Sequence, residues 1–450
     1  MAAGGDLTDL ADRIIARAKD GEQVEVVVGR SRHTEVRAYE GEVESLTAAE
    51  NQGAGVRVVS GDRQGFAYAG SLDDDVLGEL LDEARDNAEF ATPDEWVGLA
   101  EPDGVPVPDL DLYRPSLLDV PTGRKVDLAL ELERAVRGRD RRITGVESAE
   151  FVDGSGERCV VTTTGIRSES RSTSCYLSAS CLATAGDETQ TGFGFSVGRE
   201  LDDLDLDEAA ADAAHRATRL LGSVKPASGR VTVVLDPFVT AQLLGVIGGT
   251  LSGSAVVKGR SPFAERLGED VASALVTLVD DPTNPSAYTA ARADGEGLAS
   301  RRNPLIERGV LRQFVHDSST ARRSGTRSTG NAVRGGFAST PSAGCRALSL
   351  EPGVDDQPAL LRAVGEGVLV SSVIGLHSGV NPVSGDFSTG AEGLRIQRGE
   401  LGQPLREFTV ASTLQRMLHD VEAVGSDVEW LPMSAAGVSL VIRDVTVSGS

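Results

Sequence analysis

The sequence predicts an α+β fold of two domains, with mostly antiparallel sheets and flanking helices, on three observations. Its 450 residues exceed what one ordinary hydrophobic core organises. Short segments of alternating apolar residues recur in both halves, separated by glycine and charged turns, as in antiparallel strands with one covered face. Between them lie a few longer stretches with helical spacing and clear start signals.

The elements follow in order. Asp6 is placed to cap a helix whose Leu7, Leu10, Ala11, Ile14, Ile15 and Ala18 form one stripe. Residues 24–28, 34–38, 43–46, 53–59 and 65–68 then read as an antiparallel meander. Asp73, Asp74 and Asp75 open a helix reaching about Phe90, its acidic first turn matched to the dipole. From 93 to 121, Pro93, Pro102, Pro106, Pro108, Pro115 and Pro121 predict an extended loop or linker. A helix from 122 to about 136 follows, then a β-rich stretch from 145 to 196, then a helix from about 207 to 221.

Before that last helix stands Gly192-Phe193-Gly194-Phe195, and before the earlier one Gly65-Phe66-Ala67-Tyr68. Both an internal duplication and convergent wording of strand–turn–helix units fit this pattern. The expected domains are 1–224 (α+β) and 230–450 (β-rich). In the second, 230–235 is a strand, and Asp236 with Pro237 starts a helix. Strands are expected at 368–374, 394–397, 408–410, 438–442 and 445–447, with a helix at 414–424.

A net charge of −24 argues against phosphate backbones as partners. Arg322, Arg323, Arg327 and Arg334 form a local basic cluster, read as a solvated loop or as recognition of acidic groups. Cys159, Cys175, Cys181 and Cys345 show no C-x-x-C pair, so buried reduced thiols are expected. The N-terminus lacks a basic region followed by an apolar one, and no apolar run approaches ~20 residues. A cytoplasmic protein without membrane contact is therefore expected.

Zinc hydrolysis needs three protein ligands and an open position. The five histidines, His33, His215, His316, His377 and His419, are each isolated in sequence. Ser252 does not sit in a G-x-S-x-G elbow, and neither a Walker loop nor a G-x-G-x-x-G is present. Asp280-Asp281 and Asp355-Asp356 read as solvated turns. The segment 381–390 packs Asn, Pro, two Gly, Asp and hydroxyls between two expected strands, which suits a shaped loop or a plain turn. Asp386 is expected to hold that loop's own amides in an Asx turn.

Four segments carry a resemblance: Lys258-Gly259-Arg260-Ser261-Pro262-Phe263, Asp294-Gly295-Glu296-Gly297, Ser328-Thr329-Gly330-Asn331, and Val380-Asn381-Pro382-Val383-Ser384-Gly385-Asp386-Phe387-Ser388. In order, spacing and wording the chain resembles the TldD/TldE (PmbA) family, densely from about 230 to 428 and more thinly at Gly53-Ala54-Gly55-Val56-Arg57. That family joins two kinds of subunit in one zinc-dependent protease. The TldD kind carries His-Glu-x-x-x-His just before Lys-Gly-x-Ser. Here Leu244, Gly245 and Gly249 stand at those three positions, and residues 426–432 lack the cysteine that adds a further ligand.

The resemblance therefore implies a TldE-like subunit without metal or catalytic residues of its own. It implies a heterodimer with a TldD-like subunit that supplies zinc, acting on unfolded peptides and modified-peptide precursors. A homodimer without that partner stays open. Asn381, Gly385, Asp386, Phe387 and Ser388 become candidates for the peptide chamber or the subunit interface. His316 and His377 join them through family-like segments, with ordinary loop or strand-end histidines as the plainer reading. Ser412-Thr413-Leu414 departs from the family's Gly-Asn-Leu and puts the start of the following helix in question. The family's older description as gyrase modulators implies the alternative, a regulatory binding protein without protease activity.

Overall fold

The computed structural model describes residues 7–449, so the cap expected at Asp6 lies outside the described residues. The first half comprises α1 (Leu7–Ile15), β1 (Gln23–Tyr39), β2 (Glu42–Ser60), β3 (Arg63–Ala69), α2 (Asp74–Phe90), α3 (Thr122–Arg139), β4 (Ile143–Thr162), β5 (Arg167–Ala185), β6 (Glu188–Gly198) and α4 (Leu206–Thr218). Helix, three strands and helix thus occur twice in succession. The six strands form one antiparallel sheet in the order β3-β2-β1-β4-β5-β6. The first strand of each unit meets the other at the centre, from Glu25 opposite Thr162 to Ala38 opposite Ala149.

The repeated Gly-Phe wording has a physical content. A Cβ at Gly65 would lie 2.0 Å from the Ala84 carbonyl of α2, and one at Gly192 would lie 2.2 Å from the Ala213 carbonyl of α4. Each outer strand thus lets a helix backbone rest on it at one glycine. Two apolar clusters result, one under α1 and α2 and one under α3 and α4.

The segments expected at 24–28 and 34–38 are one strand, as are those at 43–46 and 53–59. Residues 42–52 of β2 are exposed along their whole length, so the apolar alternation lapses there while the backbone pairing continues. The proline-rich stretch is a fastened strap rather than a linker. Arg322 donates to the carbonyls of Trp96, Gly98 and Leu99, Arg323 pairs with Asp94, and Arg301 pairs with Asp103 at 2.5 Å. Cys159, Cys175 and Cys181 are buried, Cys345 is half-buried, and all four are free thiols.

The second half runs β7 (Gly229–Leu235), α5 (Pro237–Thr250), α6 (Gly253–Val257), β8 (Leu278–Asp280), β9 (Asn303–Glu307), β10 (Val310–Leu311), α7 (Ser318–Arg323), β11 (Ala332–Val333), β12 (Ser342–Ala343) and β13 (Leu348–Leu350). It continues with α8 (Gln357–Val364), β14 (Gly367–Ile374), α9 (Leu376–Gly379), β15 (Asp386–Gln397), β16 (Glu400–Thr413), α10 (Leu414–His419), β17 (Val421–Val424), β18 (Glu429–Trp430), β19 (Ala436–Gly437) and β20 (Leu440–Ser448). Its main sheet has the order β16-β15-β14-β7-β20-β17, and β16 also pairs with β20, which closes five strands into a ring. Only β7 and β14 pair in parallel within it. One strand face joins Val239, Leu243, Leu244 and Ile247 of α5 in the core, and the other packs Val234, Leu369 and Leu394 under Leu360 and Leu361 of α8.

The helix expected at 414–424 stops at His419. Val421–Val424 leaves it to pair with β20, because β-branched residues beside a waiting strand gain more from the ladder than from another helical turn. Thr413, part of the departure at that helix start, caps it by accepting the Arg416 amide at 3.2 Å. Among the described residues no helix is long and apolar enough to cross a membrane.

Candidate functional site

Helix α5 is the axis on which the family-like segments are arranged. Asp236 caps it by accepting the Phe238 amide at 3.2 Å, with Pro237 in the first turn. Leu244 is 1% exposed and belongs to the core. Gly245 and Gly249, one turn apart, face outward, and a Cβ at either would meet nothing within 4 Å. Among the described residues no group of three or more His, Cys, Asp or Glu side chains is gathered to hold a metal ion. The donors present among the described residues do not fit a zinc centre.

At the N-terminal end of α5, Phe387 and Leu376 pack with Val239 and Leu243. The loop from Asn381 to Gly385 is built here. The Asn381 carboxamide oxygen accepts the amides of Val383 at 3.0 Å and Ser384 at 3.3 Å, and its carbonyl accepts the Gly385 amide at 2.8 Å. The Asx role thus falls to Asn381, not to Asp386. The Asp386 carboxylate instead accepts the Ser384 hydroxyl at 2.7 Å, because it begins β15 and points back across the turn. Gly385 has φ +83°, and its carbonyl accepts the Leu414 amide at 2.8 Å. Ser388 and His377 are exposed nearby.

At the other end, Leu251 and Gly253 bond to both sides of Val315, at 3.1 and 2.7 Å. This seats His316, which is buried, with Nδ1 3.2 Å from the Thr320 hydroxyl. Burial, against the pull of Asp317, lowers the pKa of this imidazole. The two ends of a 14-residue helix lie about 20 Å apart, so α5 sets His316 apart from the 381–390 loop.

The other family-like segments form a buried polar lattice between the two halves. Glu25 of β1 lies opposite Arg57 of β2 and accepts it through both oxygens, at 3.2 and 2.7 Å, while Arg334 pairs with the same carboxylate. Arg57 also reaches Glu296 at 3.6 Å, and Glu296 accepts the Ser318 amide and hydroxyl at 2.9 and 2.8 Å. Asp294 accepts the amides of Glu296, Leu298 and Ala332. Asn331 donates to Asp280 at 2.5 Å and accepts from Asn303 and Thr329, each at 2.8 Å. A polar cavity of about 290 Å³ lined by Arg57, Lys258, Asp317 and Arg323 adjoins the lattice.

Arg334 is buried and Arg322 is half-buried, so the basic cluster is not a solvated loop; only Arg323 and Arg327 are exposed. Asp280 is fully buried, accepting the amides of Arg346 and Ala347, because β8 runs inside a small sheet. Glu25, Arg57 and Arg334 were not singled out as a unit. The available signal was one charge within each apolar run, Val24-Glu25-Val26 and Val56-Arg57-Val58.

Burial pushes the Glu296 carboxyl up to about 7 and the Asp294 carboxyl up to about 6. For Glu25 burial works in the same direction, but Arg57 and Arg334 outweigh it and hold that group below the usual range. A carboxyl with a raised folded pKa contributes stability that is fully present below its unfolded pKa and is lost as pH rises through the folded one. Glu296 therefore withdraws stability as pH rises from the ordinary carboxylate range toward neutrality. Glu296→Gln keeps an acceptor for Ser318 and should flatten the fall of the urea midpoint between pH 5 and 8. Equal slopes in the parent and the variant would refute this assignment.

Family models described as PmbA/TldA metallopeptidase domain 1, central domain and C-terminal domain match residues 24–88, 115–221 and 228–449. The chain is 28% identical over 428 residues to a metalloprotease PmbA of Escherichia coli O157:H7, covering 94% of this chain and 92% of that protein. It is 26% identical to a metalloprotease TldD homolog of Haemophilus influenzae, over 89% and 87% of the two chains. A Thermotoga maritima crystal structure, described as a candidate modulator of DNA gyrase, superposes with a TM-score of 0.90 at 25% identity, over 98% of this chain and 100% of that one. A TldE structure from Thermococcus kodakarensis superposes at 0.88 with 24% identity, over 98% of each chain, a likeness of fold.

Proposed function

Because this chain belongs to the PmbA/TldD metallopeptidase family, we propose that it is the subunit of a TldD/TldE-type heteromeric peptidase that carries no zinc of its own. The observation that carries this reading is α5. A zinc peptidase needs three donors around the metal and a carboxylate for the water's proton. Here Leu244 is turned into the core, and Gly245 and Gly249 leave the outward face of the helix bare. This chain then completes a peptide chamber whose chemistry a TldD-like partner supplies, in the cytoplasm, on unfolded peptides and modified-peptide precursors.

In that chamber the loop from Asn381 to Ser388 acts through shape rather than proton transfer. Reconstitution tests both ideas. The purified chain should hold substoichiometric zinc by elemental analysis and cleave no peptide, and cleavage should need a His-Glu-x-x-x-His-bearing partner. One tightly held zinc per chain would sink the assignment. Gly385→Val places a branched side chain at φ +83°, with its Cβ 2.1 Å from the Gln415 side-chain oxygen. The local strain is about 1–3 kcal/mol. Asp386→Ala removes the acceptor of the Ser384 hydroxyl. Both should lower cleavage by the pair while the partner still binds. Full activity in both would reduce the loop to a turn, and lost partner binding would move it to the interface.

A further inference from the structure

Beside the strap and strands β4 and β5, a cleft of about 660 Å³ shares part of its lining with a second of about 200 Å³. Arg158, Arg171 and Arg292 line both, and Arg346 lines the smaller. None of the four has a carboxylate within 4 Å among the described residues, in a chain with 68 acidic and 44 basic residues. Arg158 donates to the Asp294 carbonyl at 3.0 Å and Arg292 to the Pro108 carbonyl at 3.1 Å. Arg171 lies 4.7 Å from the centre of the Tyr113 ring, and the buried Nε of Arg346 has no hydrogen-bond partner.

Arg346 bears on Arg158. Burial, then Arg346 and Arg334, brings the Arg158 pKa down to about 10 against the pull of Asp294 and Glu25. Four carboxylates line the larger cleft, whereas the smaller one has Glu157 alone beside its four arginines. Asp111 pairs with Arg114 at 2.8 Å, Glu169 takes the Thr8 hydroxyl at 2.5 Å, and Glu157 and Asp109 are in no ion pair. Arginines that line one cleft without a carboxylate within 4 Å gain from the arrival of an anion.

We propose that this cleft binds the carboxylates of an acidic, extended peptide segment lying between the strap and strands β4 and β5. Guanidinium forks match carboxylates in bidentate fashion, and Leu112 and Tyr113 on the strap offer apolar contact to the intervening side chains. Strap residues on one side and residues of β4 and β5 on the other line the cleft, which gives an extended chain two walls to lie against. The shared chemistry is that of an oxyanion, and free phosphate is its other source. The proposal stands apart from the subunit assignment above.

The test is fluorescence anisotropy on the full chain with a labelled peptide alternating Glu and Ala, its Gln-for-Glu counterpart, and inorganic phosphate as competitor. Saturable binding of the Glu peptide is expected, at least about tenfold tighter than the Gln peptide and weakened by salt. Arg171→Gln and Arg292→Gln should each weaken it several-fold, with thermal melts confirming the fold. If Arg292→Gln melts early, Arg171→Glu at an exposed site carries the test alone. Equal affinity for the two peptides, no saturable binding of the Glu peptide, or unchanged affinity in the arginine variants would overturn the proposal. Phosphate bound without the peptide would overturn the peptide as the ligand.

Discussion

Glu25→Ala should destabilise the protein by about 3–5 kcal/mol, the usual cost of removing one partner from a buried ion pair. The side chains of Glu25, Arg57 and Arg334 are at most 4% exposed, so no solvent replaces the lost carboxylate. Arg57 would be left with Glu296 at 3.6 Å, a group itself drawn toward its neutral form by burial, and Arg334 would be left with backbone carbonyls alone. The loss bears on the seam between the halves, since Arg334 reaches across 309 residues of sequence to Glu25. Glu25→Gln keeps the shape and one acceptor and should cost less. Urea unfolding followed by fluorescence measures both, and a Glu25→Ala midpoint within error of the parent would refute the lattice as a stabilising unit.

Asp236→Ala should cost a comparable amount by a different route. Asp236 is 4% exposed and caps α5, and it also receives Arg216 of α4 at 3.2 Å and Arg219, just past the end of α4, at 3.3 Å. Loss of the cap alone accounts for about 1 kcal/mol. Stranding two poorly hydrated arginines accounts for the rest, about 2–4 kcal/mol. Arg216 also lies 5.0 Å over Phe193, which packs on Phe238 of α5, so the joint between α4 and α5 should loosen as a unit. Asp236→Asn retains a capping oxygen without the charge and separates the two contributions. If Asn and Ala variants lose equally, the cap contributes nothing, and if neither loses more than about 1 kcal/mol, the ion pairs are idle.

Much of the molecule was legible from local signals. Alternating apolar residues marked the strands of the first sheet, and Asp236-Pro237 marked the start of α5 to the residue. The family-like wording led to the family itself. Local signals failed where long-range partners decide. Val421–Val424 reads as more helix until β20 is beside it, and Asp386 reads as the Asx residue until the turn is seen to close on Asn381.

The sequence by itself determined the fold class, the family and the identity of the three residues on α5, because these depend on residue types and short spacings. Only the tertiary structure decided that Leu244 points into the core while Gly245 and Gly249 face out, and that His316 and the 381–390 loop sit at opposite ends of one helix. It alone buried Asp280 and Arg334, and gathered Arg158, Arg171, Arg292 and Arg346 around one cleft. The physical reason is reach. Helix caps, turns and strand alternation act over a few residues, whereas burial and charge pairing depend on segments hundreds of residues apart that meet only after the chain has packed.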